Sequence, residues 1–139
     1  MKKGLFMLML LAASALNAQN KLTVTVDGIE NLKGQILVAV YDSAGFLRKP
    51  VYAALVKADR EEVKIVIDSI ATGKYAVSLF HDENDNFKLD TGKFGIPVEK
   101  TGFSNNARGK TGPPKFEDCA FKIEEDSTVY ITLQGYKLE

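Results

Sequence analysis

From Lys21 onward, hydrophobic and polar positions alternate with a period of two. Leu22, Val24 and Val26 flank Thr23 and Thr25, the pattern of a strand with one buried face. Asp27-Gly28 and Asn31–Gly34 are turn signals. Gln35–Asp42 places Ile36, Val38 and Val40 on one face and Leu37, Ala39 and Tyr41 on the other, so that strand is expected to be covered on both sides. Ser43-Ala44-Gly45 breaks it. Val51–Lys57, opened by Pro50, reads either as a strand or as a short helical stretch through Val51, Ala53 and Leu55. Val63, Ile65 and Ile67 alternate with Lys64 and Asp68, and Ala71-Thr72-Gly73 turns the chain. Tyr75, Val77 and Leu79 then alternate with Ala76, Ser78 and Phe80. Cys119–Ile123 and Thr128–Leu133, joined through Glu124–Ser127, close the series.

Six or seven short strands with turn residues between them, and no helical periodicity, predict an all-β fold: a single small β-sandwich. Val24, Val38, Ile65, Val77, Ile131 and Leu133 are expected to share its core.

His81–Asp118 departs from this pattern. These thirty-eight residues show no sustained period and are rich in Gly, Asn, Asp and Pro. A stretch that long in a compact domain needs a reason. Phe87, Phe94, Phe103 and Phe116 recur through it, whereas disordered segments are poor in aromatics. The expectation is one long ordered loop, 81–118, pinned to the sandwich by its phenylalanines.

Composition adds a compartment. Met1-Lys2-Lys3 precedes the apolar run Gly4–Leu16, and small residues follow at Ala15-Leu16-Asn17-Ala18. That is the order of a secretory signal, with cleavage expected after Ala18. Thirteen residues are fewer than the roughly 20 a membrane span needs. The chain is therefore expected to comprise a signal peptide, 1–18, and one domain, 19–139, that is periplasmic or extracellular with no membrane span after cleavage. Without Lys2 and Lys3 the eighteen basic residues fall to sixteen, against eighteen acidic, and no basic block suggests nucleic acid. The single cysteine, Cys119, forms no internal disulfide and reads as a buried small hydrophobe at a strand start.

The acidic part of the loop holds the best candidate chemistry. Asp82, Asn84, Asn86 and Asp90 fall at positions 1, 3, 5 and 9 of a calcium-loop spacing, with the apolar Leu89 at position 8. Phe87 replaces the turn glycine at position 6, and Lys93 replaces the bidentate Glu at position 12. A strand rather than a helix precedes the motif. Glu83, Asp85 or Glu99 would have to complete the shell. The competing reading is an Asx-rich turn whose side chains bond their own backbone. His81, the only histidine, invites an acid/base role beside Asp82 and Glu83, or a nucleophile pair with Cys119. A structural role at a strand end is the plainer alternative. One histidine does not make a multi-histidine zinc site. Gly109-Lys110-Thr111 lacks the first glycine of a phosphate loop, since Ser104 stands there.

Gly73-Lys74-Tyr75-Ala76-Val77 runs into His81-Asp82-Glu83-Asn84. Leu89-Asp90, Phe94-Gly95-Ile96-Pro97, Gly102-Phe103-Ser104-Asn105-Asn106, Gly112-Pro113-Pro114 and Phe116-Glu117-Asp118 follow. This combination resembles the uncharacterised exported bacterial family known as domain of unknown function 2141, over essentially the whole mature chain. The resemblance implies export and a β-rich fold, and implies no reaction, substrate or catalytic residue. More distantly, the strand at Gly73-Lys74-Tyr75 looks like the immunoglobulin- and transthyretin-like sandwich modules, a likeness of fold alone.

The leading expectation is thus a non-catalytic binding or structural module of the cell envelope, calcium-stabilised through Asp82, Asn84, Asn86 and Asp90. Its partner would be a protein, a glycan or a small molecule. Exposed tryptophan platforms for a glycan are absent, because the chain has no Trp. The competing expectation is a small enzyme using His81 and the acidic loop residues.

Overall fold

The structure is a computed structural model, described here over residues 19–136. The expected signal segment, 1–18, lies outside the described residues. Eight strands form two sheets: β1 (Gln19–Asp27), β2 (Gln35–Tyr41), β3 (Tyr52–Lys57), β4 (Val63–Ala71), β5 (Gly73–Asp82), β6 (Thr101–Phe103), β7 (Phe121–Ile123) and β8 (Ser127–Thr132). One four-residue helical turn, α1, spans Phe116–Cys119. The smaller sheet has the order β4-β1-β8, with β1 antiparallel to β4 and parallel to β8. The larger has the order β3-β2-β5-β6, and β7 pairs with the start of β5.

The alternation read from the sequence is what packs the two sheets together. Leu22, Val24 and Val26 of β1, Val63, Ile65 and Ile67 of β4, Ile36, Val38 and Val40 of β2, and Val77 and Leu79 of β5 join Ile131 and Leu133 in one buried cluster. All six expected core residues belong to it. Gly28 and Gly34 sit at the predicted turns with φ +78° and +69°, the left-handed region glycine enters without steric cost.

Several expectations need correction. The stretch 51–57 forms a strand only from Tyr52 to Lys57, and Tyr52, Ala54 and Val56 face the core while Val51, Ala53 and Leu55 are exposed. β5 does not stop at Phe80. It continues through His81 and Asp82, because Ile36 and Gln35 of β2 remain opposite them as partners. The segment 81–118 is not one unbroken loop. It contains β6, which pairs Thr101–Phe103 with Ser78–Phe80 and makes an eighth strand. Cys119 does not open a strand but ends α1, and β7 begins at Phe121. Phe103 and Phe116 are buried and do pin the segment, whereas Phe87 and Phe94 are 64% and 95% exposed.

The outer face of the larger sheet positions everything that follows. Register puts Leu55, Leu37, Phe80 and Thr101 in one row across it, and Ala53, Ala39, Ser78 and Phe103 in the next. Leu37, Ala39 and Tyr41 are only half-buried, so the expected cover on both sides of β2 is complete on the inner side alone. At one end of this outer face a second cluster of Ala76, Phe103, Phe116 and Cys119 closes it, with Phe46 edge-on to Phe116 at 5.6 Å and to Tyr41 at 5.8 Å. At the other end the long segment folds back over the strands. No helix among the described residues is long and apolar enough to cross a membrane.

Candidate functional site

The long segment is held at its base by buried polar side chains that bond mainly to the backbone. Asp82, fully buried at the end of β5, accepts from the Nε2 of Gln35 at 3.0 Å, from the Asn86 N–H at 3.2 Å and from the Phe87 N–H at 2.9 Å. Burial raises its carboxyl. The Gln35 amide, the two N–H groups and the His81 ring outweigh burial and hold it below the ordinary 3.8. Glu99, also buried, accepts the Glu83 N–H and the Asp90 N–H, each at 2.9 Å, and so ties the two ends of the acidic turn together. The His81 Nε2 lies 2.6 Å from the Lys33 carbonyl, and its Nδ1 is 4.0 Å from Glu83. Further along the segment, Lys100 pairs with Glu30 at 2.7 Å and fastens the β1–β2 turn to the start of β6.

The four residues of the calcium spacing come together in one turn. Asn84 and Asn86 each donate a side-chain N–H to Asp90, both at 2.8 Å, and the Asn86 Oδ1 accepts from the Lys88 N–H at 3.0 Å. Asp85 and Phe87 have φ +54° and +61°. Phe87 therefore adopts the left-handed backbone that glycine would supply at position 6, so this departure of the sequence leaves the turn intact. Bonds from Asp82 and Asn86 to nearby backbone N–H groups are those of an Asx-rich turn. Among the described residues no group of three or more His, Cys, Asp or Glu is placed to hold a metal. Of the proposed supplements, Glu99 reaches the turn, whereas the Glu83 side chain points to His81 and Asp85 is exposed.

The structure does not join His81 to Cys119. His81 shares the inner face of β5 with Val77 and Leu79, while Cys119 packs beside Ala76, which is on the outer face. Five residues of strand also separate Ala76 from His81, roughly 16 Å. Burial, with the Asp118 charge in second place, pushes the Cys119 thiol up to about 11, so it holds its proton at neutral pH and is a poor nucleophile. Ser104 is engaged as well: its hydroxyl donates to the Cys119 carbonyl at 2.6 Å and accepts from the Val77 N–H at 2.9 Å.

What the sequence did not reveal is a cleft of about 780 Å³ between the outer face of the larger sheet and the returning segment. Phe80 and Ser78 form its floor, Leu89, Ile96 and Pro97 one wall, and the strip from Arg108 to Pro113 another. Among the described residues, Arg108 and Lys110 are its only charged lining residues. Arg108 is oriented by a 3.2 Å bond to the Gly135 carbonyl and by the Tyr136 ring beneath it at 5.9 Å. The neighbouring hollow between β6 and Tyr136 measures about 20 Å³, room for a water molecule. No period in the sequence signals the cleft, because its walls come from segments without regular structure.

No curated protein and no solved structure matches the chain. The family described as "Uncharacterized protein conserved in bacteria (DUF2141)" matches over residues 24–131, from the middle of β1 to the end of the core in β8, and the chain belongs to that family.

Proposed function

We propose that the protein is an exported, non-catalytic binding module of the bacterial cell envelope, whose ligand site is the cleft beside β5. One observation carries the reading: the buried polar groups of the long segment hold its shape, and what that shape encloses is a cleft with apolar walls and a few polar groups. Ligand sites are typically concave, largely apolar and of about 300–1,000 Å³. His81, Asp82, Glu99 and Ser104 are each bonded to backbone or to a neighbouring side chain. This favours binding over catalysis by those groups. The test is titration of the mature chain with the uncharged dye Nile red. Bound-state fluorescence is expected, with loss of most of it in Ser78→Trp, which fills the floor, and weakening in Phe94→Ser at the exposed rim. An absence of binding by the parent chain, or unchanged binding by both variants, overturns the reading.

A second reading, calcium stabilisation of the acidic turn, rests on the gathering of Asn84 and Asn86 about Asp90. Turning the two amides over would present three side chains' oxygens to one cation, with Asp82 shaping the turn beneath. Lys93 in the place of a bidentate acid makes such a site weak, in the range of about 0.1–1 mM. A thermal midpoint that rises with millimolar calcium, and no longer rises in Asp90→Ala, is the expected result; a flat midpoint removes the reading.

A further inference from the structure

We propose that the ligand of the cleft is a single-chain amphipath with an anionic head, a fatty carboxylate being the simplest case. The inference rests on the cleft being the binding site and adds the chemistry of what enters it. Among the described residues two cations and no carboxylate line the cleft, and neither Arg108 nor Lys110 forms an ion pair. A cavity with one sign of charge and low-dielectric walls attracts the opposite sign. Arg108 is also pre-oriented. Its contacts with Gly135 and Tyr136 hold the guanidinium beside the cleft and leave further N–H donors for a bidentate grip on a carboxylate.

The rest of the lining suits a chain rather than a polar body. Phe80 stands on the floor across from Leu89 and Ile96. Phe94, at the rim, is 95% exposed, and its left-handed backbone at φ +61° holds the ring out in water. A large apolar ring left uncovered at a cleft mouth gains cover when an apolar chain lies across it. Among the described residues, Asn, Gln, Asp and Glu, which hydrogen-bond the hydroxyls of a sugar, are missing from the lining. A glycan therefore fits this cleft poorly.

The experiment is displacement of Nile red from the mature chain by dodecanoate, dodecanol and dodecylammonium, each kept below its micelle concentration. Dodecanoate is expected to displace the dye at concentrations about tenfold lower than dodecanol, with dodecylammonium weakest. Each added methylene should tighten carboxylate binding by about two- to fourfold until the cleft is full. Arg108→Gln/Lys110→Gln should abolish the preference for carboxylate over alcohol. Lys110→Gln alone, at an exposed position, gives a partial loss that stands even if the double variant folds poorly. Equal displacement by carboxylate and alcohol, or preference for the ammonium, overturns the anionic head but leaves the cleft as the site. Failure of the dye itself to bind overturns the cleft reading and this inference together.

Discussion

Gln35 and Asp82 face each other as register partners on β2 and β5, and the Gln35 side-chain N–H reaches the buried Asp82 carboxylate at 3.0 Å. A neutral amide and two backbone N–H groups thus supply the hydrogen bonds of a buried anion. This junction is where the regular sheet hands over to the long segment.

Removing the carboxylate should expose that dependence. Asp82→Ala leaves the buried Gln35 amide and the part-buried Asn86 and Phe87 N–H groups without their acceptor, and should cost about 2 kcal/mol. Urea unfolding measures it. A loss under about 1 kcal/mol would show that the turn holds its shape without Asp82.

The same group makes stability depend on acidity. The folded carboxyl ionises below its ordinary 3.8, so the unfolded chain binds the proton more readily. Its stabilisation is complete above about pH 4 and is lost as pH falls through the lower folded value. Asp82→Asn should flatten that part of the stability–pH curve. An unchanged curve would assign the acid sensitivity to other carboxylates.

Cys119 should be inert while the fold stands. Fully buried, with its thiol pushed up to about 11, it should not react with a disulfide reagent at mildly alkaline pH, whereas one thiol per chain should react in denaturant. Rapid native labelling would contradict the burial of Cys119 beneath α1.

Gly34 should tolerate no side chain. A Cβ there would lie 2.0 Å from the Asp82 carbonyl oxygen, and the φ of +69° is unfavourable for any L residue. Gly34→Ala should cost about 2 kcal/mol or more, from steric displacement of the β5 end together with the backbone term. Thermal unfolding decides it, and a variant as stable as the parent would contradict this placement of the turn.

The strands and their buried faces were legible because period-two alternation acts through burial on one side of a sheet, and β1, β4 and β5 each carry several repeats of it. β6 was not legible. Thr101-Gly102-Phe103 is too short to show a period, and its glycine is required because a Cβ at Gly102 would lie 2.6 Å from Ile131. β3 was ambiguous between strand and short helix for a related reason: residues 51–56 are all apolar, so they carry no period, and register against β2 sets the inner face. The acidic turn was visible as a spacing. Its use of backbone N–H donors, and the cleft its fold encloses, depend on which segments meet, and no local pattern carries that.

The parallel pairing of β1 with β8 sets the order of events in folding. Leu22 lies opposite Ser127, and Val26 opposite Ile131. β1 therefore has an unfilled edge until β8, about a hundred residues further along, has been made. Contacts this distant in sequence make folding slow, because the intervening chain must be ordered before they contribute. A chain ending at Asp126 should accordingly stay protease-sensitive, and a compact protected fragment of that length would refute the point. Until β8 arrives, the outer edge of β1 is an open row of N–H and C=O groups, and a strand of another chain can pair with it in the place of Ser127–Thr132.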